Sequence, residues 1–372
     1  MTTDQRPLEP YDGILLLSFG GPEKPEDVLP FLRTVTAGKN IPDERLEEVG
    51  EHYYGFGGRS PINDQNRALL AALRAELDRR GIATPLIWGN RNFTPFTAEA
   101  LAEAGAQDMQ RLVTVVTSAY SSYSSCRQYR EDLAAAREAV AESGTLVKLD
   151  KVRPYANHPG FSRANSRLVT EAVRAVLRDG VAPEAVRLLF VTHSIPTAMD
   201  DTSGPGDEDG SFYSAQHLAL GAAITEEVNA TLDTDLTGEL VFCSRSGPPA
   251  QPWLEPDVND RLEELAQEGA AVVVAAPIGF VSDHMEVVYD LDTEAAATAE
   301  RLGLRLVRVP TVGIDPEFVS GLVDLVEERA AQARGEEPAI PTWPGRSAMP
   351  STCAPGCCPN LREARPALCG RD

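Results

Sequence analysis

"VRLLFVTHSIP" (residues 186–196) is apolar from Val186 to Val191 apart from Arg187, turns polar at Thr192-His193 and bends at Pro196. An apolar run without wet alternate positions reads as a strand covered on both faces. "AAVVVAAPIGF" (270–280) repeats the pattern and ends in a glycine turn. Such strands belong to parallel sheets with helices on either side. Helical periodicity brackets both: "SRLVTEAVRAVLRDG" (166–180), "SAQHLALGAAITEEVNATL" (214–232), "DVNDRLEELAQEG" (257–269) and "DHMEVVYDLDTEAAATAERLG" (283–303). The strands "ELVFCSRS" (239–246) and "RLVRVP" (305–310) complete that half.

The first half runs the same way. "GILLLSFGG" (13–21) is a strand and tight turn, followed by a helix from Pro25. "RALLAALRAELDRRG" (67–81) is an amphipathic helix closed by Gly81, and "TPLIWGNR", "FTAEALAEAGAQDM" and "RLVTVVTSAY" follow as strand, helix, strand. The fold class is α/β: two Rossmann-like, doubly wound units, each with a four-stranded parallel sheet and with ligands expected at the carboxyl ends of strands. The boundaries drawn are 11–119 plus 308–335 for the first unit, the last helix completing it, and 120–307 for the second, whose opening strand is "TLVKLDKVRPY" (145–155). Residues 336–372 form a Pro/Gly-rich irregular tail that buries no core alone. The acidic segment 199–212, "MDDTSGPGDEDGSF", reads as a mobile flap.

A net charge of −22 without a basic patch argues against a nucleic-acid partner. The beginning of the chain lacks the basic and apolar regions of a signal peptide, and no apolar run approaches the roughly 20 residues of a membrane span. A cytoplasmic location is expected, and clustered cysteines there point to metal or catalysis. Neither glycine-rich turn, "SFGGPE" nor "YYGFGGRSPI", fits a dinucleotide or Walker pattern, so no nucleotide cofactor is expected.

His193 stands at the carboxyl edge of its strand, where it serves either as a functional imidazole or as a turn histidine bonded to backbone. Glu286, Asp290 and Glu294 recur every fourth residue, an acidic ridge on one helical face. The ridge is a solvated face, with Asp283 and Glu286 as a capping pair, or a path that passes a hard cation along carboxylates.

"VTHSIP" (191–196), "GFVSDHMEVVYDLDTE" (279–294), "YYGFGGRSPI" (53–62) and "QPWLEPDV" (251–258) together resemble the ferrochelatases, over about residues 12–330. "SSYSSCRQYRED" (121–132) and the tail resemble the bacterial branch acting on coproporphyrin III. The resemblance implies a lyase of haem biosynthesis that inserts substrate Fe2+ into a porphyrin bound in a cleft between the units. His193 and Glu286 would face each other across the macrocycle as iron ligands and proton handlers, with Asp290 and Glu294 as the metal path. Tyr53, Ser60, Tyr129, His52 and Phe19 match porphyrin-contacting positions. Phe19 stands where many members of that branch carry a tyrosine able to approach the iron. A protoporphyrin IX ferrochelatase and a non-enzymatic tetrapyrrole or haem carrier are the alternatives. A monomer is expected, with a coproheme decarboxylase as downstream partner.

The tail, "STCAPGCCPNLREARPALCGRD" (351–372), carries four of the six cysteines. Some relatives hold a [2Fe–2S] cluster on one internal and three C-terminal cysteines, four thiolates being the usual set. By that resemblance Cys126, Cys353 and Cys358 are ligands, with Cys357 as the fourth and Cys369 as its substitute. A four-cysteine zinc site or bystander thiols are the competing readings. Cys243, mid-strand, reads as a small buried hydrophobe.

Overall fold

A computed structural model describes residues 7–38, 41–205, 210–247, 250–344 and 347–368. The first sheet contains β1 (Gly13–Ser18), β2 (Leu86–Asn90), β3 (Arg111–Val116) and β4 (Lys148–Lys151), all parallel, in the order β2-β1-β3-β4. The second contains β5 (Val186–His193), β6 (Gly238–Cys243), β7 (Val272–Ala276) and β8 (Arg305–Arg308), parallel, in the order β6-β5-β7-β8. The two sheets thus share one topology, as the repeated alternation predicted.

Strand periodicity explains the layers. Ile14 and Leu16 of β1 join the main core, while Leu15 and Leu17 join a second cluster on the opposite face. In β5, Leu188 and Phe190 face the main core, and Leu189 and Val191 face a third cluster. Each such buried side chain contributes ~1.5–3 kcal/mol relative to exposure. The main core is shared by both sheets and by α3 (Ile62–Arg79), α6 (Pro159–Arg178), α8 (Phe212–Leu232) and α12 (Pro316–Ala333).

The strand at 148–151, read from sequence as opening the second unit, is instead the edge of the first sheet: Arg111 pairs with Lys148 and Thr114 with Lys151. Alternation alone does not reveal which sheet a strand joins. Two long helices lie outside the sequence reading, α2 (Asp43–Tyr54) and α5 (Gln128–Glu142). α2 buries only Leu46, Gly50 and Tyr53, too few for a clear apolar stripe. α12 packs on α6 as well as on α3 and β3.

The tail has no helix or strand among its described residues, yet it is docked. Trp343 N–H donates to the Asn157 carbonyl at 2.7 Å, and Leu368 N–H to that of Arg130 at 3.0 Å. Arg153, wholly buried, pairs with Glu328 at 2.9 Å and donates to the Pro341 carbonyl at 3.0 Å. The acidic segment read as a flap is likewise anchored in its described parts. Met199–Asp201 end a short helix, α7 (Thr197–Asp201), and Asp200 accepts from Ser214 N–H and Oγ–H. Residues 206–209 of that segment lie outside the described residues.

Candidate active site

Strand parity places the first functional group. His193 shares its side of β5 with Leu189 and Val191, the face covered by Val287 and Leu291, while Thr192 points to the other side, under α8. The turn after His193 is locked by the 251–258 motif: Leu254 N–H donates to the Ile195 carbonyl and Ser194 Oγ–H to that of Leu254. Nδ1–H of His193 donates to the Ser194 carbonyl, which leaves Nε2 for other partners.

The second group arrives from β7. A Cβ on Gly279 would lie 2.1 Å from Thr192 Oγ1, so only glycine lets this turn cross the end of β5. The chain then enters α10 (Met285–Val287), a π-helical stretch (Val288–Ala295) and α11 (Ala296–Leu302). Glu286 Oε2 lies 3.6 Å from His193 Nε2 and 3.9 Å from His284 Nδ1. The expectation that His193 and Glu286 stand on opposite faces of a macrocycle is therefore corrected. A ring between them needs two van der Waals contacts of ~3.5 Å each, about twice the gap observed. As they stand, the two groups form one ion pair.

The wider π turn keeps residues four apart closer to vertical register than an α-helix of 3.6 residues per turn. It spans Asp290 and Glu294. Burial and the charges of Glu286 and Glu294 raise the Asp290 pKa to about 6, although a hydrogen bond from Ser244 opposes the shift. Burial disfavours charge on His193, but Glu286, the Ser194 carbonyl and Asp290 outweigh it, and its pKa rises above the ordinary value. His284 moves the opposite way, chiefly through burial. The imidazole and the buried carboxylate Asp290 are thus both pushed toward their protonated forms. Among the described residues, no group of three or more His, Cys, Asp or Glu side chains is arranged to hold an ion as it stands.

The two units meet at this place. Met285 packs with Val28, Phe31, Leu32 and Tyr53, and Asp283 N–H donates to Gln65 Oε1 at 2.8 Å. His52 stacks on Tyr289 with centroids 3.9 Å apart. Phe19, half-buried after β1, lies edge-on to Phe31 with the Arg91 guanidinium 5.8 Å from its centroid. Tyr53, Ser60 and Tyr129 are buried in the protein; Tyr129 lies under Arg91 at 4.5 Å. Of the porphyrin-position residues, only Phe19 and His52 present appreciable surface. Ser244, His284, Tyr289 and Arg91 were not singled out by sequence. Tyr289 and His284 sit inside the motif that carries Glu286, which is where a signal existed. A cavity of about 1100 Å3 lies elsewhere, lined by Asp12, Arg111, Glu131, Lys148 and Arg365 but by neither His193 nor Glu286. The site is assigned on its chemistry, not on volume.

The cysteines converge at a second place. The Cys126 thiol is hydrogen-bonded to that of Cys353, Cys357 to both Cys353 and Cys358, and Cys357 Sγ lies 3.8 Å from Cys358 Sγ. All four are buried, and no disulfide joins them. Cys358 adopts φ 47°, a left-handed conformation that brings adjacent thiols side by side. Neighbouring thiols and Arg130 lower the pKa of Cys126 and Cys357, the latter to about 3, against the pull of burial. Cys357 pushes Cys358 up. Cys369 lies outside the described residues. Cys243 is buried beside His193 in the sheet register, as a small hydrophobe would be.

Two doubly wound parallel α/β units place an imidazole–carboxylate pair, His193 and Glu286, at the end of β5. A sequence profile described as Ferrochelatase matches residues 11–330. A protein named coproporphyrin III ferrochelatase from Streptomyces coelicolor is 50% identical over 98% of this chain and 97% of its own length. One of the same name from Leifsonia xyli subsp. xyli is 50% identical over 97% and 94%. Among solved structures, SirB from Bacillus subtilis with Fe3+ aligns over 87% of this chain and 97% of that chain, with TM-score 0.48 and 14% identity. The chain belongs to the ferrochelatase family.

Proposed function

We propose that the protein inserts Fe2+ into coproporphyrin III, giving the iron porphyrin and two protons. The observation that carries the reading is the His193 Nε2–Glu286 Oε2 separation of 3.6 Å at the carboxyl edge of β5. Nε2 and the carboxylate are at once borderline-metal ligands and proton acceptors, which is what exchange of pyrrole hydrogens for ferrous iron requires. Asp290 and Glu294 extend the acidic face outward as the approach for the hydrated ion. Phe19 and His52 provide porphyrin contacts, with Tyr53, Ser60 and Tyr129 supporting them from beneath. Phe19 has no oxygen and cannot ligate product iron.

Coproporphyrin III carries propionates where protoporphyrin IX carries vinyl groups. The full-length similarity to proteins named for coproporphyrin III supports that substrate. Offered Fe2+ anaerobically with each porphyrin, the protein is expected to turn over coproporphyrin III at least about tenfold faster, the effect of leaving one polar group of the site unpaired. Equal or faster metallation of protoporphyrin IX, followed by absorbance, overturns the substrate assignment.

The pH dependence follows from the site. Below about pH 6 Asp290 is protonated, and His193, raised above its ordinary value, is an imidazolium. Neither then binds iron or accepts a proton, so kcat/KM falls as pH drops. D290N is expected to remove one ionisation from the acid limb and make it less steep. An unchanged slope would exclude Asp290 from the proton exchange.

The four converging thiols support a [2Fe–2S] cluster on Cys126, Cys353, Cys357 and Cys358. Their burial, mutual contact and nearby guanidinium suit a set of thiolates. When bound, the cluster would fasten the tail to the body; no step of iron insertion passes through it. No described helix is long and apolar enough to cross a membrane. We place the reaction in the cytoplasm, carried out by a monomer that passes its product to a decarboxylase.

A further inference from the structure

We infer that Tyr213 is a positioning residue for His193, and that a hydrogen-bonded chain through Ser203 and Gly204 ties it to the tail thiol Cys358. The inference rests on the reading of His193 as the imidazole of the metal site. Tyr213 O–H lies 2.9 Å from the His193 carbonyl and 2.8 Å from Thr192 Oγ1. His217 fixes the direction of these bonds. Its Nδ1 lies 2.7 Å from the Tyr213 carbonyl, which only accepts, so Nδ1 carries the proton. Nε2 of the neutral ring is then an acceptor, and Thr192 must donate to it across 2.9 Å. With the Thr192 proton committed to His217, the Tyr213 hydroxyl carries the one proton shared between Thr192 Oγ1 and the His193 carbonyl, and so links α8 to the peptide of His193. The cluster is wholly buried: the Tyr120 ring stacks on His217 with centroids 3.6 Å apart. Water cannot replace a lost bond there at little cost.

Tyr213 is in turn held from outside the sheet. As the second residue of α8 its N–H has no partner within the helix, and Ser203 Oγ accepts it at 2.8 Å. The next residue, Gly204, has φ 105°, and a Cβ on it would lie 2.7 Å from that of Phe212. Its N–H donates to Cys358 Sγ at 3.2 Å, a bond that a thiolate accepts as a thiol does; in the free-thiol form S–H also reaches the Gly204 carbonyl at 3.6 Å. One sulfur therefore holds the glycine beside the α8 cap. A displacement of the tail is transmitted through the cap and Tyr213 to the peptide that carries the site imidazole.

The test uses the full chain with histidine labelled for NMR. Y213F is expected to lower kcat about fivefold to tenfold, the effect of one buried hydrogen bond, with KM for porphyrin within about twofold. It is also expected to move the His193 ring resonance. S203A should shift the same resonance, and the Y213F/S203A double variant should be no worse than Y213F, because both act through one chain. C358S should move the resonance in the wild-type background and not in Y213F. Multiplying effects of Y213F and S203A, an unmoved His193 signal in Y213F, or an equal C358S shift in both backgrounds overturns the inference. Should C358S not fold, the Y213F and S203A cycle decides alone. H193A measured alongside separates the two levels. Activity retained in H193A sinks the reading of the site, whereas an inactive H193A beside an indifferent Y213F sinks only the positioning role.

Discussion

H193A is expected to lose iron insertion by about 10²–10⁴-fold, the range of a positioned acid–base group, while still binding coproporphyrin III. The imidazole does two things that alanine cannot. Nε2 offers a lone pair to a borderline ion, and when protonated it forms an ion pair with Glu286 at 3.6 Å. In the proposed reading the porphyrin rests on the elements around Phe19 and His52, which the substitution leaves untouched. Binding, read from quenching of porphyrin fluorescence, should stay within about threefold of wild type, because the groups that meet the ring's rim remain in place. A tetrapyrrole carrier would give another pattern: wild type and H193A would bind alike, and neither would metallate. E286Q should also fall by two orders of magnitude or so. It should move the acid limb of its residual rate to lower pH, since Glu286 is what raises His193 against burial.

C126S is expected to abolish any red-brown colour of the purified protein and to lower its Tm by about 5 °C. Roughly 4 kcal/mol of lost tail anchoring gives that shift in a chain of 372 residues. Cys126 is the one proposed ligand on the body of the protein, in the turn before α5; Cys353, Cys357 and Cys358 come from the tail. Removing it cuts the link between the two, whereas the backbone bonds at Trp343 and Leu368 remain. A colourless wild-type protein containing one equivalent of zinc would replace the cluster by a zinc site on the same four thiolates. A C126S protein with unaltered colour and Tm would make the thiols bystanders.

The sheets were legible because the chemistry of their strands is extreme. β5 and β7 are apolar at successive positions, which a half-wet strand cannot afford, and glycine turns mark where they end. His193 was legible for the same reason, as the first imidazole after an apolar run. Its partner Glu286 was legible as part of a spacing, but not its distance from His193. That distance depends on Gly279 crossing Thr192, a three-dimensional contact with no local signature. The edge strand β4 is short and polar at three of its four positions, "KLDK", so nothing local assigned it to the first sheet. α5 did carry a signal, with Tyr129, Leu133, Ala136 and Val140 on one face. The network beneath His193 was invisible, because Tyr213 falls between the segment read as a flap (199–212) and the helix read from 214, and His217 is one residue of that helix with no local signal. The convergence of Cys126 with the tail spans over 200 residues and came from resemblance rather than from spacing.

The most direct measurement of the central claim is a crystal structure of the protein with a non-reactive metalloporphyrin or the free coproporphyrin III in place. Nε2 of His193 and the carboxylate of Glu286 should both lie beneath the ring centre, on the same face, within reach of the pyrrole nitrogens. A ring seated with that pair beyond its edge, or with the two side chains on opposite faces, contradicts the account.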